Sequence, residues 1–459
     1  MTDRPVPAQM FPPPSPGPVP VAGEATGPSP GPSPEMASEA PAAGAAAAGP
    51  AARRGGAAGP ADPGPPAPTR AEGLRRLQAF LPNAGRAYAA RRNLDLPGHP
   101  HVSTLSPWLR HRLVTEAEVV TAVTARHGTS AADKFLQEVL WRTYWKGWLE
   151  LRPGVWDDYR RELRHGLDRI ATEAGLRADW EAACRGETGI DAFDHWAREL
   201  AATGYLHNHA RMWFASIWIF TLRLPWALGA DLFLRHLLDG DPASNTLSWR
   251  WVGGLQTRGK TYLARPDNIA RFTAGRFRPE GLARSAPPLE GPPPPAPRAL
   301  PPGGRWRDDL RAGLLLTEED LSPGWLTARG LRPAAVATLS AAAGRSPLAV
   351  AAQVLGFTEG ALADAAARLE APATRLAGAA EVAAWAQEQG LAQVVAPHAP
   401  VGPAAAALEA AARALAGRGI ALIRPRRRWD DRAWRLATHG FFRFREHLPA
   451  LVAAAGGAD

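Results

Sequence analysis

The sequence predicts an α-helical domain followed by a smaller α/β domain, and three observations carry that expectation. Apolar residues recur at three- and four-residue spacing through 131–151 and 190–238, the period of a helix face, without clean alternating strands. Twelve of the 17 Trp lie between 108 and 251, which marks one large aromatic core. Beyond residue 306, apolar runs at Leu314–Thr317, Ala392–Ala396 and Ile420–Ile423, with a weaker one near 350–356, alternate with Ala/Leu-rich helical stretches at 378–390 and 402–417. Strands that alternate with helices of that length predict a parallel sheet.

Taken in order, residues 1–73 read as a disordered Pro/Ala/Gly-rich arm. The first 70 hold 19 Pro and neither Leu, Ile nor Trp, so they cannot bury enough apolar surface to offset the entropy of ordering. The arm lacks the basic-then-apolar order of a signal peptide. Residues 281–305, with 9 Pro in 25, read as a stiff linker. Two folded pieces remain, 74–280 and 306–459. The longest apolar run, Trp213 to Leu234, is broken by Arg223, Pro225 and Asp231, which reads as a buried helix pair and not as a membrane span. Cys184 is the only cysteine, which excludes a disulfide framework, a Cys-rich zinc module and a four-cysteine iron–sulfur cluster. It also fits a reducing, cytoplasmic compartment. The formal net charge is +9, and residues 74–280 alone carry 29 Lys and Arg against 22 Asp and Glu, a balance suited to a polyanionic partner.

Three local patterns point to chemistry. In Ser103-Thr104-Leu105-Ser106-Pro107-Trp108, Ser106 reads as an N-cap and Pro107 as the first helical turn. The bland reading is plain capping; the sharper one is an anion site at a helix start rich in hydroxyls. Glu138, Trp141, Arg142 and Trp145 fall at i, i+3, i+4 and i+7 and share a helix face with Phe135 close by. Such a stripe either pairs Glu138 with Arg142 beside packing indoles or stacks a flat ring and hydrogen-bonds its edge. Asn208, Arg211 and Met212 share another face, and Asp239 and Asp241 are candidate partners for Arg211. Two further patterns are read as coincidental. Gly254 to Thr261 spells a phosphate loop, but lacks a strand before it and carries Pro266 where a helix should run. His207-Asn208-His209 resembles a nuclease signature without a metal-binding context.

Together these blocks, across about residues 80–255, resemble the FAD-binding helical domain of the DNA photolyase/cryptochrome family in its order and nearly its spacing. The resemblance implies FAD as cofactor, folded in a cavity of the helical domain. Tyr88 and Ser103, Thr104, Leu105 and Ser106 match cofactor-contacting positions, although the usual Thr-Ser-Arg-Leu-Ser stands here as Val102-Ser103-Thr104-Leu105-Ser106. Arg211 matches the Arg against the flavin, Asp239 its acidic partner, Asp241 a residue near the ring edge, and Asn245 the residue facing flavin N5. Glu138, Trp141, Asn208, Met212 and Trp251 match a pocket for a cyclobutane pyrimidine dimer, with Phe135 replacing a Trp, and Arg92 and Arg142 match basic positions near DNA. Trp249 and Trp226 match the first two members of an electron relay whose third position falls on Glu173, with Trp180 nearby.

The implied activity is that of a deoxyribodipyrimidine photolyase, a lyase acting on UV-damaged DNA. Blue light excites reduced FAD, an electron passes to the flipped-out dimer, the ring splits and the electron returns, with Glu138 stabilising the radical anion. No metal and no membrane partner are expected, and the chain is expected to be a monomer. One rival is a cryptochrome-like blue-light photoreceptor without repair, which shares the FAD site and the relay but not the lesion pocket. Another is a DNA-binding protein that has lost its cofactor. The C-terminal piece, ending near Trp429, Trp434 and Gly440–Phe444, loosely resembles the exit of the family's α/β domain. It is expected to be a Rossmann-like unit in permuted order, carrying no Gly-rich dinucleotide fingerprint.

Overall fold

A computed structural model describes residues 66–369 and 371–455. Helices fill the first part: α1 (Arg70–Phe80), α2 (Arg86–Arg91), α3 (Ser106–Arg110), α4 (Glu116–Ala131), α5 (Asp133–Glu150), α6 (Gly154–Thr172), α7 (Ala174–Arg185), α8 (Asp191–Thr203), α9 (Asn208–Ser216), α10 (Trp226–His236), α11 (Pro242–Val252) and α12 (Pro266–Phe272). Local chemistry sets their ends. Thr115 and Glu118 form a reciprocal capping box at the start of α4. Gly186 and Gly204, both left-handed, stop α7 and α8. A π-helical stretch, Ile217–Thr221, joins α9 towards α10 and is buried almost throughout.

The second part is β1 (Ala312–Leu316), α13 (Gly324–Ala328), β2 (Ala335–Leu339), α14 (Ala352–Ala367), β3 (Ala373–Leu376), α15 (Ala379–Glu388), β4 (Gln393–Val395), α16 (Pro403–Ala416) and β5 (Ala421–Ile423), followed by α17 (Arg428–Trp434), α18 (Phe441–Arg445) and α19 (Leu448–Ala455). The five strands are all parallel in the order β3-β2-β1-β4-β5, the doubly wound arrangement. β1 shows how the two faces are used. Leu314 and Leu316 join the core of the helical part, whereas Leu315 joins a second cluster with Val382, Trp385 and Leu408.

The carboxyl edge of this sheet, where such folds commonly hold ligands, meets the helical part. Glu319, just after β1, receives Arg110 Nη2 at 2.7 Å and Lys146 Nζ at 3.3 Å. Arg427 binds Asp320, and Arg112 binds Asp430 in a bidentate pair at 2.7 Å. All these side chains are buried. One hydrophobic core therefore runs across both parts.

Several expectations shift. Residues 1–65 of the arm lie outside the described residues, but 66–73 do not form its end: α1 begins at Arg70, capped by Thr69, whose hydroxyl accepts from Glu72 N at 3.2 Å. The linker 281–305 holds no helix or strand, yet it is not a free spacer. Arg298 N donates to Leu151 O at 2.8 Å, Leu289 N to Gly253 O at 2.9 Å, and Leu300 is buried. The weak strand near 350–356 is the start of α14, because Val354, Phe357, Ala361 and Leu362 bury one helical face. Ser106 is not an N-cap. Leu105 takes that place and makes no side-chain cap bond, so the Ser106 hydroxyl is left for the interior.

Candidate active site

One cavity of about 280 Å³ opens in the helical part, and α5 supplies its longest wall. The stripe read from the sequence behaves as a unit: Phe135, Glu138, Trp141, Arg142 and Trp145 all line it. Glu138 and Arg142 do not pair with each other. Arg92 Nη1 reaches Glu138 Oε1 at 3.3 Å, while Arg142 turns inward to lie 3.9 Å from Asp239 and 3.7 Å from Asp241. Arg142 therefore faces the cavity acids and not an outer surface. Burial raises the Glu138 carboxyl above the usual range despite the opposing pull of Arg92 and Lys134. Phe135 and Tyr88 meet edge to face, with ring centres 5.0 Å apart.

The opposite wall comes from α9, the loop 239–241 and α11. Asn208, Arg211 and Met212 line the cavity from one face of α9. Arg211 Nη2 donates to Asp239 Oδ2 at 3.0 Å, and its Nε to Leu206 O at 3.0 Å. Asp241, the N-cap of α11, instead accepts from Ser244 Oγ at 2.6 Å and from Ser244 N at 3.2 Å. Burial pushes the Asp241 carboxyl up, but Lys146, Arg142 and Arg110 outweigh it and hold it at about 2. Asp239 is likewise lowered against burial by Arg211 and Arg142. Both are anions at neutral pH. Asn245 donates from Nδ2 to Ala230 O at 2.8 Å, which leaves its Oδ1 as an acceptor.

Ser103, Thr104, Leu105 and Ser106 close the cavity at the start of α3. Thr104 holds a positive φ of 50°, and its hydroxyl receives Arg76 Nη1 at 2.9 Å. Trp249 Nε1 and Arg142 Nη1 are among the buried lining donors that lack a hydrogen-bond partner. Orphaned donors, two fixed carboxylates and apolar walls from Leu109, Phe233, Leu237 and Val252 fit a large, flat, polar-edged ligand such as FAD.

Arg92, Trp226 and the relay's third position, Glu173 with Trp180 nearby, stand outside the cavity lining. Arg92 pairs with Glu138 of the lining. Trp226 lies on α10, where its indole Nε1 donates to Glu162, and its ring centre is 5.8 Å from Tyr159, which in turn lies 5.0 Å from Trp156. Trp249 meets Trp218 perpendicularly at 6.2 Å and Phe233 at 5.1 Å. Glu173 sits at the exposed end of α6, bonded to Arg169. Trp251 stacks near Tyr262 at 5.9 Å.

The sequence reading missed Ser244, which the Asp241-Pro-Ala-Ser244 cap spacing could have flagged. It also missed Phe441. That residue of α18 stacks on Trp141 with centroids 3.5 Å apart and planes 12° from parallel. Nothing local in the sequence could have joined residues 300 positions apart. The Gly254–Thr261 stretch is a run of turns after α11, not a strand-to-helix loop. His207 and His209 are buried, and burial drives each imidazole down to about 3.

The helical core thus holds a cavity edged by acids and arginines. Residues 135–279 match the family described as the FAD binding domain of DNA photolyase. The helical part thus carries a photolyase-type FAD-binding domain. Among curated relatives, the deoxyribodipyrimidine photo-lyase of Streptomyces griseus is 35% identical over 202 residues, which is 41% of this chain and 42% of that protein. One from Thermus thermophilus is 37% identical over 203 residues, 42% of this chain and 45% of that protein. A solved bacterial class III photolyase from Agrobacterium tumefaciens aligns at 27% identity and TM-score 0.38, over 45% of this chain and 43% of that one. The chain spans less than half the length of these relatives. No helix among the described residues is long and apolar enough to cross a membrane.

Proposed function

We propose that the protein is a light-driven DNA repair flavoprotein that splits cyclobutane pyrimidine dimers. The observation that carries this reading is the convergence on one cavity of the residues expected from the resemblance to contact cofactor or lesion, Arg92 apart. Arg211, Asp239, Asp241, Asn245 and the 103–106 segment would hold FAD, with Trp249 Nε1 as a donor without a partner beside it. When bound and reduced, FAD supplies the photoexcitable electron source. The side chains of this chain do the rest. Trp141 and Trp251 offer flat faces for a flipped dinucleotide, and Met212 and Phe135 exclude water beside them. Glu138, whose carboxyl burial raises above its ordinary value and which Arg92 steadies, would in its protonated form donate a hydrogen bond to a pyrimidine carbonyl and share its proton as charge develops there.

The test is to mix purified, chemically reduced protein with an oligonucleotide carrying a thymine dimer and to count restored thymines in light and in darkness. Light-dependent restoration is expected. FAD bound without restoration would favour a cryptochrome-like photoreceptor; neither FAD nor restoration would sink the flavoprotein reading as well.

A further inference from the structure

The two arginines that the sequence places beside DNA are engaged elsewhere. Arg92 is 10% exposed and pairs with Glu138, and Arg142 is 13% exposed and faces Asp239 and Asp241. Nucleic-acid affinity comes mainly from cations on phosphates, so the phosphate grip has to come from other side chains. A second concavity lies on the C-terminal segment, lined in part by Arg435, Thr438, His439, Arg443, Glu446 and His447. Arg435 and Arg443 are exposed, and neither makes an ion pair among the described residues. Glu446 is the only acid of the lining.

This concavity is fastened to the cavity wall. Phe441, between His439 and Arg443 in the chain, is the ring stacked on Trp141. Tyr144 Oη donates to His439 O at 2.8 Å, and Arg445 Nη2 reaches Asp133 Oδ2 at 3.1 Å, both on α5. Two residues of chain span at most about 7 Å, so the backbone of His439 and of Arg443 lies within that reach of Phe441.

We propose that the segment Arg435–His447 is a phosphate-binding flank of the substrate site. Arg435 and Arg443 grip the sugar–phosphate backbone of the DNA strand whose damaged dinucleotide is delivered to Trp141. This rests on the reading of DNA as substrate.

The experiment uses the full chain loaded with FAD and measures binding of a labelled dimer-containing duplex, and of its undamaged counterpart, across a sodium chloride series. The parent is compared with the double variant Arg435→Gln/Arg443→Gln. Loss of two phosphate contacts should flatten the slope of log affinity against log salt by about 1.8 and weaken both duplexes alike at low salt by about tenfold or more. The flavin spectrum and the thermal midpoint should not change. Arg435→Lys/Arg443→Lys should keep the parent slope. Equal slope and affinity in parent and Gln variant would overturn this assignment while leaving the DNA reading intact. A parent that binds neither duplex would sink the DNA reading, and this assignment with it.

Discussion

Glu138 and Gly229 each make a separate demand on the site. Burial raises the Glu138 carboxyl, so its protonated form persists to higher pH than in a free side chain. A protonated donor is lost as pH rises through that raised value. Dimer restoration at saturating DNA should therefore fall with rising pH, while Glu138→Gln, a donor at every pH, should give a flat profile. Glu138→Ala should cost about 100-fold in rate. A parent profile as flat as that of the Gln variant would remove the protonated carboxyl from the reaction. Gly229, on α10, lets the Trp249 ring approach: a Cβ there would collide with Trp249 Cη2. Gly229→Ala should destabilise by about 1–3 kcal/mol, read as a lower urea midpoint, and should disturb the flavin spectrum through Trp249. Helical spacing revealed which residues share the α5 face. It could not say which way the long Arg142 side chain turns, because the acids that attract it lie about 100 residues away.

At the level of elements, legibility followed hydrophobic periodicity. The long helices α5, α8 and α10 carry wide apolar faces and read directly. β2 and β3 did not: Ala335–Leu339 and Ala373–Leu376 are built largely from alanine and polar residues, which favour helix or loop when alone, and only pairing within the sheet makes them strands. α1 was hidden at the edge of a Pro-rich tract, although Thr69-Arg70-Ala71-Glu72 has the spacing of a capping box. The junction of α3, α4, β1 and α17 rests on charge. Arg112 is buried with Asp430 and Glu116 against it, and Asp320 lies 3.8 Å away. Arg112→Met should strand buried carboxylates and cost about 3–5 kcal/mol, measured by denaturant unfolding. A cost below about 1 kcal/mol would mean that the junction does not depend on that guanidinium.

For the molecule as a whole, the sequence revealed a helical part and an α/β part but not their fusion. A Pro-rich stretch between two patterned regions looks like a spacer, and only the shared core shows it to be a strap. The fusion buries His111 against Phe357 of α14, while the helical part buries His207 and His209 within itself. Burial lowers His207 and His209 to about 3 and His111 well below its ordinary value. The unfolded chain binds protons there near pH 6.5, the folded chain only far lower, so stability is fully present above that value and drains away as pH falls below it. The urea midpoint should therefore drop between pH 8 and pH 6; a constant midpoint over that range would contradict neutral buried imidazoles. The stack of Phe441 on Trp141 also sets a timetable. During synthesis at about 5–20 residues per second, Phe441 is added roughly 15–60 s after the Trp141 on which it stacks. The helical part can collapse in that interval, but Trp141 has its brace only once the chain through Phe441 has been made. A nascent or prematurely stopped chain would expose an unbraced indole to solvent and to chaperones.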